Sequence, residues 1–177
     1  MNRRLHSHSQ GFTLIELLIV VAIIGIIASM LIPNMLDALQ KTKQKRTMAD
    51  MRITGGAMFS WLTDQVGAAA AGQSSTLIDL SDYGGEKTVA DLRAVLVPNY
   101  LQEIPAKDGW KSSYDYFLKT SDPHSRNVMA IRSTGRDSQP EGSDIYTVTG
   151  FEPTDYDQDV VWADGFMVRW PESLKRQ

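Results

Sequence analysis

The sequence predicts an α+β fold in which one long amino-terminal helix lies on a small antiparallel sheet. Three features carry that expectation. An uncharged apolar run near the amino terminus passes straight into an amphipathic helical stripe. Four short β-prone stretches follow in the second half, and an Asp-Gly step sits inside the last of them as a hairpin signal. The chain has 177 residues and a mass of 19.7 kDa, room for about one domain.

The helix comes first. Phe12 to Leu36 holds 19 apolar residues out of 25, and Leu17 to Leu36 is 20 successive residues without a charge. At about 1.5 Å per residue those 20 reach roughly 30 Å, the thickness of a bilayer's hydrocarbon core. A secretory signal would have a shorter core ending in a small-x-small cleavage site, whereas this run ends in Pro33-Asn34-Met35-Leu36-Asp37. The segment is therefore expected to stay with the protein as a membrane-spanning helix. Beyond it, Met48, Met51, Gly55, Met58 and Leu62 recur at steps of three and four, so one helix is expected from Phe12 to about Asp64. The Met stripe is read as core packing, and the Gly55-Gly56 pair as a site where another element comes close.

Val66-GAAAAGQSST reads as a loop, and Thr88 to Val97 as a short helix stopped by Pro98. Strands are expected at Tyr114 to Leu118, Val128 to Ile131, Ile145 to Thr149, and Val160 to Trp170 folded about Ala163-Asp164-Gly165. The aromatics Trp110, Tyr114, Tyr116, Trp162 and Trp170 are assigned to the sheet core and its rim.

Composition excludes several function classes. The 18 basic and 21 acidic residues give a formal charge of −3 and a pI of about 5.6, so there is no general basic field for nucleic acid. With no cysteine, disulfides, thiolate metal sites and cysteine nucleophiles are ruled out. Catalytic signatures such as Gly-x-Ser-x-Gly, a phosphate loop or His-Glu-x-x-His are absent. His124 stands in a turn-rich loop, and His6 and His8 lie close to the amino terminus. The protein is expected not to be an enzyme.

The residues Gly11-Phe12-Thr13-Leu14-Ile15-Glu16, leading into LLIVVAIIGIIASMLIP behind a short leader with Arg3 and Arg4, closely resemble the class III signal of type IV pilins and of type II secretion pseudopilins. The resemblance covers about the first 50 residues. It implies that a prepilin peptidase cuts between Gly11 and Phe12 and methylates the new amino group on Phe12. It also implies that Glu16 pairs with the Phe12 ammonium of a neighbouring subunit during assembly, which relieves two charges that are costly in lipid. Gly25 and Pro33 fall where filaments of the family show a loosened helix, in keeping with a weak helix former and a proline that cannot donate to the Ser29 carbonyl. The implied organisation is a leader over 1–11, a transmembrane and filament-core helix over 12–36, its amphipathic continuation over 37–65, and a periplasmic or extracellular head over 66–177. Losing Arg3 and Arg4 with the leader takes the formal charge from −3 to −5. The basic residues Lys41, Lys43, Lys45 and Arg46 that follow the span favour the opposite orientation by the positive-inside count. The resemblance instead places the leader in the cytoplasm.

A second stretch, Pro98-x-Tyr100-Leu101 through Ile104-Pro105-Ala106-Lys107-Asp108-Gly109-Trp110-Lys111-Ser112-Ser113-Tyr114-Asp115-Tyr116, continued by Ser133-Thr134-Gly135-Arg136-Asp137, is similar to major pseudopilins. Gly109 and Lys111 depart from their pattern. The resemblance favours a pseudopilin of a type II secretion system over the alternative, a type IV pilin or minor pilin for motility, adhesion or DNA uptake; the lack of cysteine agrees. A singly anchored periplasmic domain is the reading from another class. The implied partners are other copies of the chain, other pseudopilins, the prepilin peptidase, an inner-membrane platform and its ATPase, and the implied location is a single pass of the inner membrane followed by a filament.

Residues 137–164 hold eight carboxylates and no Lys or Arg, and clustered hard oxygens suit calcium. An EF-hand is excluded, because Val160 and Phe166 stand where its glycine and last glutamate belong. Major pseudopilins bind calcium in a carboxyl-terminal loop, so the resemblance makes Asp155, Asp157 or Asp159, with or without Asp137, candidate calcium ligands. The competing reading is a solvated acidic loop, or a partner for Lys41 to Arg46 of an adjacent subunit.

Overall fold

The apolar run and the Met stripe form one element in the computed structural model, which describes residues 11–66, 77–142, 144–148 and 151–171. Helix α1 spans Leu14–Val66 and continues unbroken through Gly25 and Pro33. The chain divides into two units, Met1–Leu39 and Gln40–Gln177. In the first, every apolar side chain from Leu14 to Leu36 lies outside any core, and Phe12 at its start is 80% exposed. In the second, α1 buries one stripe, among them Gln44, Thr47, Met51, Thr54, Gly55, Met58 and Leu62, with Met48 half-buried beside it. The expected helix and its apolar face are both present.

Helix α2 is Val89–Leu96. Thr88 caps it, accepting from the Asp91 amide while the Asp91 carboxylate accepts from the Thr88 amide, so both ends of a capping box are closed. Strands β1 (Leu77–Asp79), β2 (Glu86–Lys87), β3 (Asp115–Leu118), β4 (Met129–Ser133), β5 (Ile145–Thr147), β6 (Val160–Ala163) and β7 (Phe166–Arg169) form two antiparallel sheets. One has five strands in the order β2-β3-β4-β6-β7, and the other is the β1-β5 ribbon. A 3-10 turn, Leu80–Tyr83, links the ribbon to β2.

The five-stranded sheet is the middle layer, and period-two alternation decides which layer each side chain meets. Tyr116, Leu118, Met129, Ile131, Val160 and Trp162 join the α1 and α2 side in one core. Phe117, Ala130, Val161, Ala163 and Val168 point the other way, to Ile78, Leu80, Tyr83 and Tyr146. Since both faces are covered, β4 and β6 are buried at every position. The β6-β7 hairpin turns on Asp164 and Gly165, both at positive φ (47° and 104°), as its Asp-Gly step predicts.

Two departures from expectation have physical causes. Strands β1 and β2 and the 3-10 turn have only three, two and four residues, too short for a hydrophobic period, and β1 is specified by its distant partner β5. Tyr114 sits just outside β3, because Ser113 is drawn into a bridge with Lys107. The expected loop after Val66 falls at 67–76, outside the described residues.

Candidate functional site

The expected processing site is an open, non-helical segment. Gly11 and Phe12 are exposed, and nothing lies within 4 Å of where a Gly11 side chain would project. Thr13 begins α1. Its carbonyl accepts from the Leu17 amide at 3.3 Å, its hydroxyl accepts from the Glu16 amide at 3.3 Å, and its amide and hydroxyl donate to Glu16 Oε2 at 2.8 and 2.7 Å. This is a capping box, so Glu16 already has a local function at the helix start. Thr13 is the site residue that sequence reasoning missed, and its signal was the Thr-x-x-Glu spacing ahead of an apolar run.

Further along the same unit, the helix keeps its form at Gly25, where a side chain would meet nothing within 4 Å. Around Pro33, the Ser29 hydroxyl donates to the Ile26 carbonyl at 2.7 Å and the Asn34 amide group donates to the Met30 carbonyl at 3.2 Å. The helix is not loosened at either residue in this subunit. None of the 18 residues in its most apolar window is buried. A helix apolar on all sides is stable in water only if lipid or other protein covers it.

From Gln40 onward, the second resemblance stretch forms a clasp on α1. A Cβ on Gly109 would fall 2.2 Å from the Lys43 carbonyl oxygen, so only glycine fits there. The Gly109 amide donates to Thr47 Oγ1 at 2.9 Å, and the Trp110 indole donates to Gln40 Oε1 at 2.7 Å. Buried Asp108 holds the loop shape by accepting from the Trp110 and Ser112 amides, both at 2.9 Å, and from the Ser133 hydroxyl at 2.6 Å.

The acidic loops are more heavily paired than their composition suggests. Asp157 takes Arg136 in a two-point contact, with Nε to Oδ1 at 2.8 Å and a terminal nitrogen to Oδ2 at 2.6 Å. Glu141 takes Arg169 through both carboxylate oxygens. Arg132 reaches Asp115 at 2.8 Å and Asp144 at 2.7 Å. Asp137 and Asp155 accept from backbone amides two residues on, at 3.0 and 3.1 Å. Asp159 is fully buried; its Oδ2 accepts from the Tyr146 hydroxyl at 2.5 Å and the Glu141 amide at 3.1 Å, and its Oδ1 has no hydrogen-bond partner. Burial raises the Asp159 carboxyl above the usual carboxylate range, with the Tyr146 hydrogen bond acting against it. The Arg136 hydrogen bond holds Asp157 below that range.

The four expected calcium ligands are thus not brought together. Asp137, Asp155, Asp157 and Asp159 each serve a separate local contact, and among the described residues no group of three or more His, Asp or Glu side chains could hold a metal ion. The residues present do not fit calcium. The positive partners were invisible in the acidic window because Arg132, Arg136 and Arg169 all stand outside 137–164. His124 is exposed.

Comparison with known proteins agrees with the geometry of the amino-terminal segment. Residues 6–32 match the prokaryotic N-terminal methylation motif. The chain is 28% identical to the type II secretion system core protein G of Vibrio cholerae, over 76% of this chain and 88% of that one. It is 26% identical to core protein G of Pseudomonas aeruginosa, over 81% and 93%. A similarity of 29% identity links it to the type IV wide pilus major component PilA4 of Thermus thermophilus, over 76% and 96%. No solved structure matches the chain.

Proposed function

We propose that this chain, which carries the prepilin methylation motif and resembles pseudopilins along most of its length, is a structural filament subunit of a type II secretion system. In this reading it is not an enzyme; its work is to polymerise and so drive protein export across the outer membrane. The observation that carries the reading is the helix behind Gly11-Phe12, apolar on every side and without one buried residue in its 18-residue window. Such a helix needs lipid first and other helices afterwards.

Maturation would remove 1–11 and methylate Phe12, leaving a single inner-membrane pass with the leader in the cytoplasm and the head in the periplasm. On assembly, Glu16 would exchange its capping contacts for the Phe12 ammonium of a neighbour, and Gly25 and Pro33 would let the helix yield as it leaves lipid. The prepilin peptidase, the membrane platform with its ATPase, and other pseudopilins are the partners this requires. Co-expression with a prepilin peptidase tests it. Mass spectrometry should find the chain starting at methylated Phe12, and Gly11→Val should retain the leader and form no filament. A Gly11→Val chain that matures and assembles like the wild type would overturn the reading.

The likeness to the Thermus wide-pilus component supports a second reading, a type IV pilin. Deleting the gene separates the two: a secretion subunit leaves folded cargo trapped in the periplasm, whereas a pilin leaves the cell without surface pili.

A further inference from the structure

We infer that this subunit locks its acidic loops with its own guanidinium groups and is stiffened without calcium. Calcium takes six to eight oxygen ligands, and here Asp157, Glu141 and Asp144 are engaged by arginine while Asp137 and Asp155 accept from backbone amides. Both Asp157 oxygens face Arg136 and both Glu141 oxygens face Arg169. Arg132, with a side chain only 10% exposed, bridges Asp115 on β3 and Asp144 ahead of β5.

Among the described residues Asp159 is the buried carboxylate with an unpartnered oxygen, and both the Glu141 carboxylate and the Arg132 guanidinium lie near it. The Arg132 guanidinium lies 3.3 Å from the Tyr146 hydroxyl that donates to Asp159, and the Arg169 guanidinium lies 5.8 Å from the centroid of the same Tyr146 ring. A divalent cation at Asp157 or Glu141 would have to displace Arg136 or Arg169, and Arg169, its side chain 15% exposed, would be left largely buried and unpaired. The arginines are also placed to act as ties. Arg132 is on β4 and Arg169 on β7, so both anchor the 137–144 loop to the sheet. Arg136 then binds that loop to 155–158, where its amide also donates to the Tyr156 carbonyl at 2.8 Å. Two-point arginine contacts fix direction as well as distance, which a solvated acidic loop would not provide.

The test uses the full chain in detergent and does not require a filament, so it is decided apart from the proposed function. Melting temperature and limited proteolysis are followed in millimolar calcium and in chelator, for the wild type and for Arg136→Gln and Arg169→Gln. The wild type should melt within about 1 °C in the two buffers and give the same fragments. Each variant should melt about 2–4 °C lower in both and be cut within 137–159. A calcium-dependent rise above about 4 °C in the wild type would overturn the inference, as would variants whose melting and fragments match the wild type. Should Arg169→Gln fail to fold, Arg136→Gln, whose ion pair is half-exposed, still decides the outcome.

Discussion

Adjacent glycines on α1 make opposite demands. A Cβ on Gly55 would lie 2.4 Å from the buried Trp162 ring, whereas one on Gly56 would meet nothing within 4 Å. Gly55→Ala should therefore destabilise the fold by about 1–3 kcal/mol through overpacking, and Gly56→Ala should stabilise it by about 0.5–1 kcal/mol through helix propensity. Urea unfolding of the two variants checks both signs. Asp164 offers a pH test at the same scale. Burial raises its carboxyl above the usual range, opposed by hydrogen bonds from the Tyr83 hydroxyl at 2.6 Å and from the Val128 and Met129 amides. An acid raised in the folded state contributes stability below its unfolded value, near ~3.9, and loses that contribution as pH climbs through the folded value. Asp164→Asn cannot ionise, so its melting temperature should gain on the wild type between about pH 3 and about pH 7. The Gly-Gly pair was legible in the sequence as a close approach, but which glycine was filled was not, because Trp162 is more than 100 residues away in the chain.

At the scale of elements, the chain declared what is long or strongly patterned. Helix α1 was legible because 19 apolar residues in 25 and then a three-and-four stripe admit no other element. The β6-β7 hairpin was legible because Asp-Gly sits between two β-prone triplets. Strands β1 and β2 were not, since a two- or three-residue strand has no period of its own and exists through a partner 29 or more residues off. The clasp shows the same limit. Its residues were singled out by resemblance, but that Gly109 stands over the Lys43 carbonyl follows only from the packing of the loop on α1. Gly109→Ala should lift the loop and cost about 1–3 kcal/mol, read by chemical denaturation together with a change in Trp110 fluorescence as its indole leaves Gln40.

For the whole molecule, the proposed assembly residues stand apart from those that build the cores. The core clusters of the second unit hold no side chain from the 14–36 stretch, and among the described residues the Glu16 carboxylate accepts from Thr13 at the helix start. Glu16→Ala should therefore leave the head's chemical unfolding midpoint unchanged within about 0.5 kcal/mol while removing filaments from electron micrographs. The methylation motif was readable from sequence because it is a contiguous run of residues, 6–32. The arginine ties of the acidic loops were not, because Arg132 and Arg169 come from strands whose register only the folded sheet defines. The clasp also has a mechanical consequence. A pull on the 40–47 stretch of α1 is taken up by the 108–110 loop, where Gln40, Lys43 and Thr47 meet it. There it strains two hydrogen bonds and a glycine seated against backbone before it reaches the sheet.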